Sequence, residues 1–272
     1  MAKAAESVES LTKGPSSYSD LRGSTTLRSN FVTTNLEKWM KASEQLSGGF
    51  TMLKDMLRGD MACDPGECEE LGRGEFGVVF RIRDPITGHY QVIKTSSARA
   101  SWDRERLTME AEILQNLDHP HILRIFSWYQ YDDSVSIIMD HCTGGELLKA
   151  VKAGKAAKQE LPEVWGATAM RQSFAGLAYM HSKGLAHKDL KGPNLLLMFS
   201  VASGSRMFGN MPHVVICDFG NAEVVQLGRW GRGDRGTRVA GTPATMAPEV
   251  RKGAFSVKAD IWSMGVVMYQ MF

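Results

Sequence analysis

His187-Lys188-Asp189-Leu190-Lys191-Gly192-Pro193-Asn194 and, further along, Val214-Val215-Ile216-Cys217-Asp218-Phe219-Gly220 decide how this chain is read. Each polar group of the first stretch has a chemical task. Asp189 suits acceptance of a hydroxyl proton, Lys191 suits neutralisation of moving negative charge, and the Asn194 amide suits a metal. The second stretch is an apolar strand ending in a carboxylate and a glycine. Asp218 there suits a Mg²⁺ ion bridged to phosphates, because Mg²⁺ takes few protein oxygens and keeps the rest of its shell for water and phosphate. Taken singly, Asp218 is also a turn residue and His187 a buried structural histidine.

Upstream, Gly72-Arg73-Gly74-Glu75-Phe76-Gly77-Val78-Val79 forms a G-x-G-x-x-G-x-V pattern. Glycines let backbone N–H groups approach phosphate closely. A dinucleotide-binding loop wants a helix directly afterwards. This chain supplies the strand Val78–Ile82 and the turn Asp84–Gly88 instead. Val92-Ile93-Lys94 ends the next strand, Tyr90–Thr95. The helical run Trp102–Leu117 follows, with Leu107, Ala111 and Leu114 on one face. Glu110 lies one turn before Leu114, so it shares that inward face and is the partner expected for Lys94; Glu112 points elsewhere. His119-Pro120 ends the helix. Ile122–Tyr129 and Ser134–Met139 read as strands, Leu147–Ala153 and Leu161–Ser182 as helices.

Downstream come Gly241-Thr242-Pro243-Ala244-Thr245-Met246-Ala247-Pro248-Glu249 and Asp260-Ile261-Trp262-Ser263-Met264-Gly265. The glycine loop, a V-A-I-K-like strand, an H-R-D-L-x-x-x-N-like loop, D-F-G and A-P-E, in this order, make the protein-kinase signature. Residues 69 to 272 therefore resemble the catalytic domain of a eukaryotic-type Ser/Thr protein kinase. The resemblance implies an α+β, two-lobed fold: a β-rich N-lobe over 69–140 and a helical C-lobe over 141–272, the latter incomplete. It implies transfer of the γ-phosphoryl of MgATP to protein hydroxyls, by positioning and electrostatics. The cofactors implied are ATP and Mg²⁺.

On that resemblance, Gly72, Arg73, Gly74 and Gly77 cover the phosphates, and Lys94 contacts them while pairing with Glu110. Asn194 and Asp218 hold the metal. Asp189 is the catalytic base and Lys191 its cationic neighbour. Val92 lies over adenine, Val79 and Leu196 are further cofactor-binding residues, Met139 is the gatekeeper, and Asp140 to Cys142 form the hinge beside adenine. Glu146 matches an acidic residue that meets the ribose or a basic substrate side chain. Leu114, Ile125, His187 and Phe219 match a hydrophobic column joining the lobes, anchored by Asp260. Lys191 and Gly241-Thr242-Pro243 resemble the Ser/Thr form, with dual specificity as the alternative. The Gly144-Gly145-Glu146 hinge and the insert before D-F-G loosely resemble protist calcium-dependent protein kinases.

Four features depart from the pattern. Lys188 stands where Arg is usual; an ammonium is a point charge and cannot copy a bidentate fork. Thr237 is the obvious phosphosite between Gly220 and Gly241, among Arg229, Arg232, Arg235 and Arg238, which either solvate the loop or pair a phosphate. Val92 replaces a usual Ala and narrows the adenine pocket. Met198–His213 is a long Ser-, Gly- and Met-rich stretch, expected as a structureless surface insert. Finally, the sequence stops at Phe272, inside or just after a helix begun near Asp260. That is expected to expose Ile261, Trp262, Val266, Val267 and Tyr269, and points to a fragment. A truncated, non-catalytic interaction module is the competing reading.

Composition sets the remaining expectations. The 272 residues are 43% hydrophobic and 23% charged, near the globular average. A formal net charge of +2 argues against a general nucleic-acid binder. The four cysteines read as free thiols in a reducing compartment. The N-terminus lacks a secretory h-region, Ala2 excludes the myristoylation pattern, and no apolar stretch reaches the ~20 residues of a membrane span. A cytoplasmic location, or a nuclear one, is expected, with protein substrates and an unknown regulatory partner. Residues 1–35 read as a flexible tail, and 36–68 as a short helical extension that docks on the adjoining domain, with binding to a partner as the alternative.

Overall fold

Short runs of apolar, largely β-branched residues build the first sheet, with Val135 to Met139 buried without a break. The computed structural model describes residues 68–74, 77–83, 88–95, 101–131, 134–202, 204–224, 241–253 and 256–272. The expected tail and helical extension, the turn 84–87 and the loop carrying Thr237 lie outside these residues. Strands β1 (Cys68–Gly74), β2 (Gly77–Arg83), β3 (Tyr90–Thr95), β4 (Ile125–Tyr131) and β5 (Ser134–Asp140) form one antiparallel sheet in the order β1-β2-β3-β5-β4. Helix α1 (Ser101–Leu114) lies against it, burying Leu107 and Ala111 in one apolar cluster with Val135 and Ile137. Leu107, Glu110, Ala111 and Leu114 fall on one stripe of a 3.6-residue period, and all four are buried, while Glu112 is exposed.

β4 starts later than the sequence pattern suggests. Ile122 instead bridges to Ile216 in a separate sheet, and Leu123 N–H donates to the Ile216 carbonyl at 2.9 Å. That link ties the segment after α1 to the second half of the fold. There, β6 (Gly145–Glu146) runs into α2 (Leu147–Ala156), followed by α3 (Glu163–Ser182) and β7 (Leu185–Ala186). A 3₁₀ turn (Gly192–Asn194) leads into β8 (Leu195–Leu197), then β9 (Val214–Ile216) and β10 (Glu223–Val224). β6-β8-β9 form one small sheet and β7-β10 another. A second 3₁₀ turn (Val250–Lys252) precedes α4 (Lys258–Met271). Trp165, Leu177, Met180, Leu190 and Leu195 are fully buried between these elements.

Two expectations need correction. The stretch 198–213 is a docked loop, not a structureless insert. Met198 N–H donates to the His213 carbonyl at 2.8 Å, closing the excursion between β8 and β9. Phe208 packs 5.1 Å from the Trp165 ring, Val201 is buried, and Trp165 Nε1 donates to the Asn210 carbonyl at 3.0 Å. Gln159 and Gln172 on the helical side satisfy the loop's backbone at Met207, Ser205 and Pro212. A few apolar residues and two glutamines thus offset the ordering entropy that its composition argues against. On α4, Ile261, Trp262 and Tyr269 are exposed, Tyr269 at 87%, but Val267 is fully buried with Met264 and Met271. Val267 therefore belongs to the core stripe, because helical spacing from Asp260, Ser263 and Met264 turns it inward.

Candidate active site

The motifs meet where the sheet, α1 and the β8-β9 ribbon converge. Lys94 sits on β3 opposite Val79 of β2 and Ile137 of β5. Its Nζ donates to Glu110 Oε2 at 2.6 Å and lies 3.6 Å from Asp218 Oδ1. Burial alone would lower the Lys94 pKa, but the carboxylates of Glu110 and then Asp218 override it and hold the ammonium above its ordinary range. For Asp218, burial would raise the pKa, yet Lys94, His187 and Lys191 outweigh it and keep the carboxyl below its usual value. Asp218 also adopts a left-handed backbone (φ 64°). That conformation costs a non-glycine residue about 1–3 kcal/mol and persists only where the surroundings over-determine it.

The surroundings here are the hydrophobic column. Leu114 and Phe219 are buried in one cluster, with Ile125 packed on it and His187 5.1 Å from the Phe219 ring. His187 Nε2 faces the Cys217 carbonyl at 3.0 Å, and Asp189 N–H donates to His187 Nδ1. Asp260, 1% exposed on α4, accepts the N–H groups of both His187 and Lys188 at 2.9 Å and faces His181 Nε2 at the same distance. This pins Lys188 in its own left-handed turn (φ 69°).

Asp189 is 5% exposed, and both its oxygens are engaged. Oδ1 accepts from Thr242 N–H at 2.9 Å and Thr242 Oγ1 at 2.8 Å. Oδ2 accepts from Lys191 Nζ at 2.8 Å and Asn221 Nδ2 at 3.5 Å. Lys191 also reaches Thr242 Oγ1 at 3.2 Å. Gly241 makes this approach feasible: its φ is 118°, and a Cβ there would lie 2.5 Å from the Lys188 carbonyl oxygen. Asn194 Nδ2 donates to the Asp189 carbonyl at 2.8 Å, which turns the amide oxygen to other use.

The expected adenine residues share one apolar cluster. Val92 and Met139 are buried in it, and Val79, Cys142 and Leu196 pack on its edge. Met139 pairs with Val92 across β3-β5. Burial, with Asp140 nearby, pushes the Cys142 thiol up to about 12. Asp140 forms an ion pair with Arg124 at 3.1 Å. Glu146 is held by Lys149 at 2.5 Å. Gly72, Arg73, Gly74 and Gly77 are paired in the β1-β2 hairpin, Arg73 opposite Val78 and Gly74 opposite Gly77; its tip, 75–76, lies outside the described residues.

Several contributors escape a reading of motifs. Arg106 on α1 donates to the Gly220 carbonyl at 3.3 Å and to Asn221 Oδ1, linking the helix to the segment after Asp218. Glu223 pairs with Lys188 at 2.5 Å. Arg106 lies one turn before Glu110, and that spacing was the available signal. Nothing local marks Asn221 or Glu223.

Among the described residues, no group of three or more His, Cys, Asp or Glu could hold a metal by itself. The Asp218 carboxylate and the Asn194 amide oxygen do fit Mg²⁺, which takes hard oxygen donors and commonly one or two from protein.

Residues 66–272 match the protein kinase domain, and the chain belongs to that family. Calcium-dependent protein kinase 5 of Plasmodium berghei is 32% identical over 207 residues, covering 74% of this chain and 33% of that protein. Calcium-dependent protein kinase 6 of Plasmodium berghei is 37% identical over 202 residues, covering 74% of this chain and 12% of that protein. Calcium-dependent protein kinase 5 of Plasmodium falciparum is 31% identical over 201 residues, covering 74% of this chain and 32% of that protein. The chain thus spans a third or less of the length of these relatives.

Proposed function

We propose that this chain carries the site of a Ser/Thr protein kinase that transfers the γ-phosphoryl of MgATP to a protein hydroxyl. The observation that carries the reading is Lys94, which meets Glu110 at 2.6 Å and Asp218 at 3.6 Å. This supports the reading, because it brings a cation suited to phosphate beside a carboxylate suited to a metal. Lys94 and the glycine hairpin orient the phosphates, and Val79, Val92, Met139, Cys142 and Leu196 enclose the base. Asp218 and Asn194 hold Mg²⁺, which when bound neutralises charge developing on the phosphates. Asp189 accepts the substrate hydroxyl's proton as the hydroxyl oxygen bonds to the γ-phosphorus and the bond to the β–γ bridging oxygen breaks. Lys191 and Thr242 hold Asp189 in place, and Lys191 offsets the negative charge of the moving phosphoryl.

A cytoplasmic or nuclear setting, where MgATP and protein substrates are at hand, belongs to the same proposal. Glu146 is already engaged by Lys149, which supports the absence of a strong preference for basic residues near the acceptor. A peptide array dominated by Arg before the acceptor refutes that part. The main test is phosphate transfer from γ-labelled ATP to a generic protein substrate, with Asp189→Asn beside the wild type. Transfer by the wild type alone supports the kinase. Equal background from both supports the interaction module instead.

A further inference from the structure

Lys188 raises a question that the site chemistry leaves open. Its side chain is 2% exposed, and it directly precedes the proposed base. A buried ammonium needs a counter-charge, since leaving one unmatched is strongly destabilising. The fold supplies one through strand register. β10 pairs with β7 so that Glu223 lies opposite Ala186, two residues before Lys188. From there the Glu223 carboxylate reaches Lys188 Nζ at 2.5 Å. Arg106 also ends on acceptors in this segment, the Gly220 carbonyl and Asn221 Oδ1. The stretch Gly220 to Glu223 thus takes up two cations, Lys188 and Arg106, and Asn221 itself donates to Asp189 Oδ2.

We propose that Glu223 is a positioning residue for phosphoryl transfer: it is a permanent counter-charge for Lys188 and helps hold the catalytic loop set without a phosphate group on the loop that follows it. The proposal rests on the kinase reading given above. Lysine suits this arrangement. A point charge is satisfied by one carboxylate, whereas a guanidinium fork calls for a bidentate acceptor. A phosphate carries up to about two negative charges, and brought to this point it would meet a carboxylate already in place. Motion of Lys188 passes straight to Asp189, and a misplacement of about 1 Å in such a group costs about 100-fold in rate.

The experiment compares the full chain as wild type, Glu223→Gln and Glu223→Asp, before and after treatment with a protein phosphatase, with mass spectrometry confirming dephosphorylation. Dephosphorylated wild type is expected to keep its kcat within about twofold, while Glu223→Gln loses about 10-fold or more in kcat with KM for ATP changed less than about threefold. Glu223→Asp is expected to recover at least about half of the lost rate, because the charge is restored. Hydrogen exchange at Lys188 and Asp189 is expected to rise in Glu223→Gln and to stay unchanged on dephosphorylation. The proposal is overturned if Glu223→Gln keeps wild-type kcat, or if dephosphorylation lowers kcat as far as Glu223→Gln does. If Glu223→Gln does not fold, the reversed pair Lys188→Glu with Glu223→Lys decides: regained transfer supports the proposal, and a folded but inactive product overturns it. If the wild type transfers no phosphate at all, the kinase reading fails separately. Exchange then judges Glu223 alone, and unchanged protection in Glu223→Gln overturns its positioning role.

Discussion

Replacing Glu110 by Gln keeps the shape of the side chain and removes one charge from the Lys94 pair. The separation is 2.6 Å, Glu110 is 3% exposed, and the Lys94 side chain is 15% exposed. At an effective dielectric of about 20, unit charges this close attract by about 6 kcal/mol. Desolvation of both groups cancels much of that, and breaking a buried pair by removing one partner costs about 3–5 kcal/mol. Lys94 retains Asp218 at 3.6 Å, so the lower end applies. The ammonium then shifts toward Asp218 and away from its place over the phosphates. Loss of about 2–3 kcal/mol of transition-state stabilisation lowers kcat/KM for ATP by about 30- to 150-fold. Steady-state kinetics with varied ATP reads this directly, and a melting curve checks folding. Glu112→Gln, an exposed carboxylate two positions along the same helix, is the control and is expected to change neither. A Glu110→Gln protein within about threefold of wild type in kcat/KM for ATP would refute the argument that Lys94 depends on this partner.

Gly241→Ala is expected to push the backbone away from the Lys188 carbonyl, break the Thr242–Asp189 contacts, lower kcat by about 10-fold or more and lower the melting temperature, since φ 118° strains any residue but glycine; wild-type kcat shows that the contact is dispensable. His119 and His121 have pKa values lowered chiefly by burial, so the folded state disfavours their protonation. Stability from this source is full above the unfolded value of 6.5 and is lost as pH falls through it. Melting at pH 5.5 should therefore lie below that at pH 7.5, and the gap should narrow in His121→Gln; an unchanged gap counts against it. With its thiol pushed up to about 12, Cys142 should react with iodoacetamide at pH 7.4 far more slowly than free cysteine, site by site in peptide mass spectrometry. Rapid labelling would show that the hinge thiol is not so protected.

What the sequence determined by itself was the set of candidate reacting groups. Asp189, Lys191, Asn194 and Asp218 are legible because their chemistry needs those residue types at short local spacings. Glu110 over Glu112 followed from helical period alone, since one turn of spacing to Leu114 puts a side chain on the buried face. The strands and helices were legible for the same reason, with β4 displaced because Ile122 is claimed by Ile216, far away in sequence. The fate of residues 198–213 was less visible. Phe208 and Val201 find their partners on α2, α3 and the core, and composition carries no trace of that docking. Tertiary structure alone decided which groups hold the reacting ones in place. Asp260 reaches back 73 residues to His187, Thr242 reaches 53 to Asp189, and Glu223 reaches 35 to Lys188. Such partners carry no local signature, because a hydrogen bond or ion pair depends on where two backbones pass in space, and only the packed chain sets that.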